Sequence, residues 1–383
     1  MLNKSVAVVD IRSSEITAVV AERGVNNTFI IKSKFTHTYE GFAEGQLLDI
    51  RSFEVAVQSV VQSTISAVNE KIKTFYVSVP GEFSDVINTD NVISFSSMRK
   101  VTRSDVKALE DASFPKNDKI WRTIAGGKLF FVLSDKRKVI NPIGMLTDSL
   151  RGRMCYYRCK QAFIDCVTNA FHPFASVTKI NFVPAVHSEA MYLIAPERRD
   201  EYAVLFDFGY ISSSFSVVCG NGIAFCESFS LGAGHIAFYL TEALDVPYEV
   251  ATLLLDKVNL NTKEGAVTVV ELYHEGKLYK FDANVLKQKV TEGLDLLCSA
   301  IDECYANFTE KNLDGKPLYI TGECVGTIRG ATDHIGNRLV RSLNIAAPNI
   351  PYYDKPQFSS LFSLIENALQ DKEKSTLFGT LFK

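Results

Sequence analysis

The sequence predicts a duplicated α/β chain of two domains, and three observations carry that prediction. An apolar strand ending in aspartate, a small polar turn and a second apolar strand occur twice, as VVDIRSSEITAVVAE from Val8 and LFDFGYISSSFSV from Leu205. Each copy leads on through further strands into a segment of helical spacing, and such repetition marks duplicated architecture. The chain has 383 residues, 46% of them hydrophobic and 22% charged, which is enough to build two ordinary cores.

The first repeat reads strand, strand, strand, helix, strand. SVAVVDI, EITAVVAE and TFIIKSKFT are rich in β-branched residues. RSFEVAVQSVVQSTISAVNEKI places Phe53, Val57, Val60, Val61 and Ile65 on one helical face, and TFYVSVP reads as a buried strand. From residue 81 to about 160 the character changes to turn-rich strand regions around one short helix, TRSDVKALEDAS, with Thr102 or Ser104 as its cap. QAFIDCVTNAF resumes a helix and VTKINFVP a strand. In the second repeat YAVLFDFG, SSFSVVCG and GIAFCESFSL are strands and HIAFYLTEAL a helix. KPLYITGECVGTIRG is a later strand ending in a glycine turn, before the helix ATDHIGNRLVRSL.

Composition excludes several classes. A net charge of −3 offers no basic excess for nucleic acid. The eight cysteines form no CxxC pair and the six histidines are scattered, so no zinc constellation is visible. Cysteines set in apolar segments read as buried thiols of a reduced, cytosolic protein. No signal peptide opens the chain, and no run of about 18 apolar residues is present.

The paired strand–Asp–turn–strand hairpins resemble the actin-like ATPase superfamily, and within it the bacterial cell-division protein FtsA. The stretches that carry the resemblance are, in order, VVDIRSSEITAVVAE, EGFAEGQLLDI, VSVPGEF, NVISF, VTRSDVKALEDA, NPIGM, LFDFGYISSSFSV, FSLGAGHI and YITGECVGTIRG…NIAAP. The resemblance implies an actin-like (ribonuclease H-like) duplicated fold with an FtsA-type inserted small domain. Its divisions would be residues 1–80 with 161–195, the insertion 81–160, residues 196–240 with 316–356, a second smaller subdomain 241–315, and 357–383 as a C-terminal helix, linker and amphipathic tail. It also implies that ATP and Mg2+ would lie against Asp10, Ser13, Ser14, Asp207, Gly209, Ser212, Ser213, Gly232, Gly234 and Gly322.

The departures from that pattern fall on the same elements. Arg12 and Glu15 stand where the family has glycine and lysine, and Tyr210, Ile211 and Ser214 where it has two glycines and an aspartate. Thr252 and Leu255 take the ribose-contacting positions, and Glu323 the second glycine of the adenine turn. Phosphate needs inward N–H groups and a backbone approach that glycine permits. A unit charge at 4 Å is worth about 4 kcal/mol at an effective dielectric of 20, so a lysine-to-glutamate reversal repels a polyanion. Arg12 offers a guanidinium in partial exchange. The expectation is weak or absent ATP binding and no enzymatic turnover. For Ser212 to Ser214, a polar turn and a residual anion site both stay open.

The chain ends QDKEKSTLFGTLFK. Residues 371–374 read as a charged linker and Ser375 as an N-cap. Leu377, Phe378, Leu381 and Phe382 then share one helical face with Lys383 at its edge. FtsA proteins end in such a membrane hook; the alternative is a segment that packs back on the body. Four such side chains contribute roughly 6–12 kcal/mol gross on insertion, much of it offset by ordering the tail. Anchoring would then need several copies on one filament.

The leading expectation is an FtsA-like scaffold, cytoplasmic and peripheral on the inner face of the cell membrane at the division site. It would polymerise and bind the FtsZ C-terminal tail and lipid. Lys287 and Lys289, on a helix in the second smaller subdomain, are candidates for the acidic FtsZ tail; a solvated helix face is the other reading. The alternatives are an active actin-like ATPase, against which Glu15 and Ser214 argue, and a pilus-assembly actin homologue.

Overall fold

The computed structural model describes residues 5–262 and 268–381, with the side chains of Asn27 and of residues 375–381 outside the description. The chain divides into two compact units. The first comprises Met1–Ala203, Ser216–Cys226 and Ser360–Lys383, the second Val204–Phe215 and Glu227–Ser359.

In the first unit, β1 (Val6–Ile11), β2 (Glu15–Arg23) and β3 (Phe29–Thr38) form an antiparallel meander. The short pair β4 (Phe42–Ala43) and β5 (Gln46–Leu47) leads into α1 (Ile50–Ser66). The Asp49 carboxylate caps α1 by accepting from the amides of Arg51 and Ser52. The predicted stripe is buried at Phe53, Val57, Val60 and Val61, each worth about 1.5–3 kcal/mol on removal from water. β6 (Thr74–Val79) and β11 (Lys179–Pro184) add in parallel, giving the order β11-β6-β1-β2-β3.

Between β6 and β11 lies the inserted sheet: β7 (Ser84–Lys100), α2 (Arg103–Ser113), β8 (Trp121–Leu133), β9 (Lys138–Val139) and β10 (Leu146–Lys160), ordered β7-β10-β8-β9 and antiparallel throughout. Thr102 and Asp105 close a capping box on α2. A separate small core holds Val106, Leu109, Phe131, Leu150 and Met154. α3 (Gln161–Phe171) packs back on α1, and α4 (Ala185–Leu193) and α5 (Pro196–Arg199) follow β11.

The second repeat supplies β12 (Ala203–Asp207), β13 (Ser213–Cys219) and β14 (Gly222–Phe229), then α6 (Ala233–Leu244) and α7 (Tyr248–Lys257). A hairpin, β15 (Val269–His274) with β16 (Lys277–Asp282), precedes the long α8 (Ala283–Asn307). β17 (Leu318–Thr321), α9 (Ala331–Leu339) and β18 (Leu343–Ile345) complete the sheet order β14-β13-β12-β17-β18. Sequence reading misses α7 and the β15–β16 pair: four leucines and valines in ten residues of α7 carry no cap signal, and the hairpin strands are largely exposed.

The chain closes with α10 (Ser359–Leu381), a continuous helix. This corrects the expected linker at 371–374 and the expected cap at Ser375. The linker residues are held as helix by partners on the first unit's sheet. The Tyr76 hydroxyl donates to Asp371 at 2.9 Å, Arg23 pairs with Glu366 at 2.5 Å and Glu373 at 3.4 Å, and Lys372 donates to the Ser5 carbonyl. The side chains of Leu377, Phe378, Leu381, Phe382 and Lys383 lie outside the described residues.

Candidate functional site

Each unit presents one of the two predicted hairpins. In the first, the turn between β1 and β2 is closed by Arg12 N–H donating to the Glu15 carbonyl at 3.0 Å, and the Tyr39 hydroxyl donates to the Arg12 carbonyl at 2.6 Å. The Ile11 amide donates to Ser78 Oγ at 2.7 Å. Ser13 is buried in the turn, and the Ser14 carbonyl accepts from the Tyr39 amide. Asp10 is buried, and both of its oxygens are engaged. Ser360 Oγ donates to Oδ1 at 2.6 Å and Arg12 Nε to Oδ2 at 3.2 Å. The guanidinium expected to help hold a polyanion is therefore turned onto the aspartate. Ser360, 350 residues along the chain, has no sequence signal that ties it to this turn.

In the second hairpin the amides of Gly209 and Tyr210 are bonded inside the unit. The Gly209 amide donates to Ser213 Oγ at 3.4 Å, and that hydroxyl donates to the Leu231 carbonyl. The Tyr210 amide donates to Glu323 Oε1 at 3.0 Å. The first amides of α6 are capped by the same loop, Ala233 donating to the Gly209 carbonyl and Gly234 to that of Tyr210. A helix N-terminus binds an anion only through free N–H groups, and here loop carbonyls take that place. Tyr210 packs by its ring edge near Gly234, and its hydroxyl lies 2.8 Å from that of Tyr248. Burial first, then the Tyr210 hydroxyl, push the Tyr248 phenol up from its ordinary value.

Two glycines retained from the expected motif have structural reasons. A Cβ on Gly232 would meet the Gly209 and Tyr210 carbonyl oxygens at 2.3 and 2.4 Å. Gly322 has φ +110°, and a Cβ there would meet Asp207 Oδ1 at 2.3 Å. These residues allow the chain to pack on itself. Ser212 is half-buried in the turn, while Ser214 shares a 2.7 Å hydrogen bond with Ser228 across neighbouring strands. Leu255 is buried in the α7 face and Thr252 Oγ1 donates to the Tyr248 carbonyl. Glu323, read from sequence as an adenine-turn change, instead reaches the phosphate-type loop.

Lys287 and Lys289 have separate partners within their unit. Lys287 Nζ donates to the Thr262 carbonyl at 2.7 Å and lines a 480 Å3 cavity with Asn261, Asp333 and His334. Lys289 pairs with Glu292 at 2.8 Å. Among the described residues no group of three His, Cys, Asp or Glu is placed to hold a metal, and no helix is long and apolar enough to cross a membrane.

No family model matches the chain. In sequence it is similar to the cell division protein FtsA of Pseudomonas aeruginosa, 21% identical over 160 residues; the match spans 41% of this chain and 37% of that protein. In structure it is similar to the PilM–PilN type IV pilus biogenesis complex (TM-score 0.60, 11% identity, 95% of this chain and 98% of that one). It is likewise similar to MreB5 of Spiroplasma citri bound to AMPPNP (0.58, 9%, 99% and 100%) and to the MamK double helical filament (0.53, 11%, 97% and 99%). The fold is thus actin-like, of the class that includes nucleotide-binding and filament-forming proteins. The chain is a divergent example of it, with a weak sequence likeness to FtsA.

That fold implies Mg-ATP, and the residues present do not fit it. The first hairpin's carboxylate is paired with Arg12 and accepts from the Ser360 hydroxyl. The Gly209 and Tyr210 amides of the second hairpin are bonded to Ser213 and Glu323, and the first amides of α6 to loop carbonyls. A buried N–H already paired gives up a bond to take a new one, which removes most of the gain from binding phosphate.

Proposed function

We propose that this protein is a non-catalytic actin-like scaffold that polymerises and tethers the FtsZ ring to the inner face of the cell membrane. The observation that carries the non-catalytic part is the bond from the Tyr210 amide to Glu323, with Arg12 on Asp10 as its counterpart in the other unit. The division role draws on the sequence likeness to FtsA and on the apolar face read at Leu377, Phe378, Leu381 and Phe382. Electron microscopy of the purified protein on anionic lipid, with and without ATP, tests it. The reading expects filaments on lipid in both conditions, recruiting FtsZ through its C-terminal tail. Filaments that require ATP would overturn assembly without nucleotide, and phosphate release above background would overturn the non-catalytic part.

A second reading, a scaffold for pilus biogenesis, is favoured by the end-to-end structural match to the PilM–PilN complex. Binding of the FtsZ C-terminal peptide separates the two: micromolar affinity supports the first, and no binding at millimolar peptide supports the second.

A further inference from the structure

We infer that Glu323 is an in-chain anion that takes the place of a ligand phosphate in the second hairpin, so that this loop keeps its folded form with no nucleotide. The inference deepens the scaffold reading and rests on it for its consequence, assembly that needs no ligand.

Successive backbone N–H groups in a turn make a concavity that binds an anion. In the turn after Asp207 the successive amides of Phe208, Gly209 and Tyr210 donate to the Thr321 carbonyl, Ser213 Oγ and the Glu323 carboxylate, the last at 3.0 Å, so the group found on the Tyr210 N–H is an anion. Its position is fixed from both sides. The Phe208 amide donates to the Thr321 carbonyl at 2.8 Å and the Cys324 amide to the Phe208 carbonyl at 3.1 Å, so the residues flanking Glu323 are tied to the loop they serve. Gly322, at φ +110°, allows the chain to turn beside Asp207 and aim the next side chain back at Tyr210. A carboxylate accepting from a backbone amide forms a charge-assisted bond, stronger than a neutral one. An incoming phosphate would have to displace that bond and meet the carboxylate's own charge. The amides of Gly209, Ala233 and Gly234 beside it are also bonded within the same unit.

Glu323 is therefore a positioning residue, and amide hydrogen exchange of the full chain reads it directly. Without added ligand, the Tyr210 amide is expected to exchange slowly. Glu323→Ala should speed it about tenfold, while Glu323→Gln, which keeps the acceptor and drops the charge, should stay within about threefold of wild type. Inorganic pyrophosphate should slow Tyr210 exchange in Glu323→Ala and leave wild type unaffected. Unchanged Tyr210 exchange in Glu323→Ala overturns the inference, as does saturable protection of wild type by pyrophosphate. If Glu323→Ala fails to fold, wild type and Glu323→Gln decide it: pyrophosphate protection of wild type is against the inference, and protection confined to Glu323→Gln is for it. Exchange at one amide makes no reference to filaments or FtsZ, so a failed scaffold assay and a failed loop assay are told apart.

Discussion

Arg12 lies on Asp10, its Nε 3.2 Å from Oδ2, with side chains 14% and 2% exposed. Ser360 holds the other carboxylate oxygen. A buried carboxylate that loses its cation costs more than the pair was worth, because the remaining charge stays desolvated. Arg12→Ala is therefore expected to lower stability by about 1–3 kcal/mol. Arg12→Met combined with Asp10→Asn should recover part of that loss. Urea denaturation of the three proteins measures it, and equal losses in the single and double variants would count against the pairing.

Mg-ATP is expected to leave the melting temperature nearly unchanged and hydrolysis at background. Glu15→Lys alone is not expected to restore binding, because Asp10 and the Tyr210 amide stay occupied. Titration calorimetry decides this, and a micromolar dissociation constant for wild type would contradict it.

His187 gives the protein a stability that depends on pH. Its ring lies 4.7 Å from that of Tyr157, and burial first, with Arg199 nearby, holds its pKa down at about 4 against an ordinary 6.5. Between those values the unfolded chain binds the proton and the folded chain does not, so stability rises with pH. The contribution is complete above pH 6.5 and is lost as pH falls toward 4, by an amount on the order of 2 kcal/mol. Denaturation at pH 7.5 and 5.0 should show a smaller difference in His187→Gln than in wild type. Equal differences would remove His187 as the cause.

Assembly is expected to use the far end of the inserted sheet. Met98, Ile143 and Leu146 are 63%, 44% and 56% exposed there, beside a turn bonded from Val101 to Met145. Exposed apolar groups gathered in one place mark an interaction surface, and a heterologous contact that does not close makes a filament. Met98→Asp with Leu146→Asp should abolish filaments in sedimentation assays and leave the melting temperature within a degree or so, as surface substitutions do. Persistent filaments would place the contact elsewhere.

The tail is expected to bind anionic liposomes, and removal of residues 375–383 to abolish this. Phe378→Asp with Phe382→Asp should release the protein more fully than salt, since a single lysine near a charged surface is worth about 1 kcal/mol. Neither change should alter stability, because α10 is held upstream at Glu366, Asp371 and Glu373. A melting temperature several degrees lower for the double variant would mean the tail packs on its own domain.

The sequence by itself determined what is local or repeated. Apolar runs rich in β-branched residues gave the strands of both hairpins, the spacing of Phe53, Val57, Val60 and Val61 gave α1, and the duplication of strand, aspartate and strand gave the actin-like fold. These follow from backbone geometry and the burial of one face, which act over a few residues. The loss of the phosphate-loop pattern was also legible, because glycine and lysine positions can be read one at a time. Only the tertiary structure decided where the replacements point. Arg12 looked like a substitute cation for a ligand and is instead bonded to Asp10; Glu323 looked like a damaged adenine turn and reaches the Tyr210 amide. Residues 371–374 looked like a linker and are helical, because Tyr76 and Arg23 hold that stretch from far along the chain. Apart from that of Arg12 with Asp10, those bonds join residues 113 or more positions apart, as does the bond of Ser360 to Asp10 at 350, and no local propensity encodes a partner that only folding brings into hydrogen-bond reach.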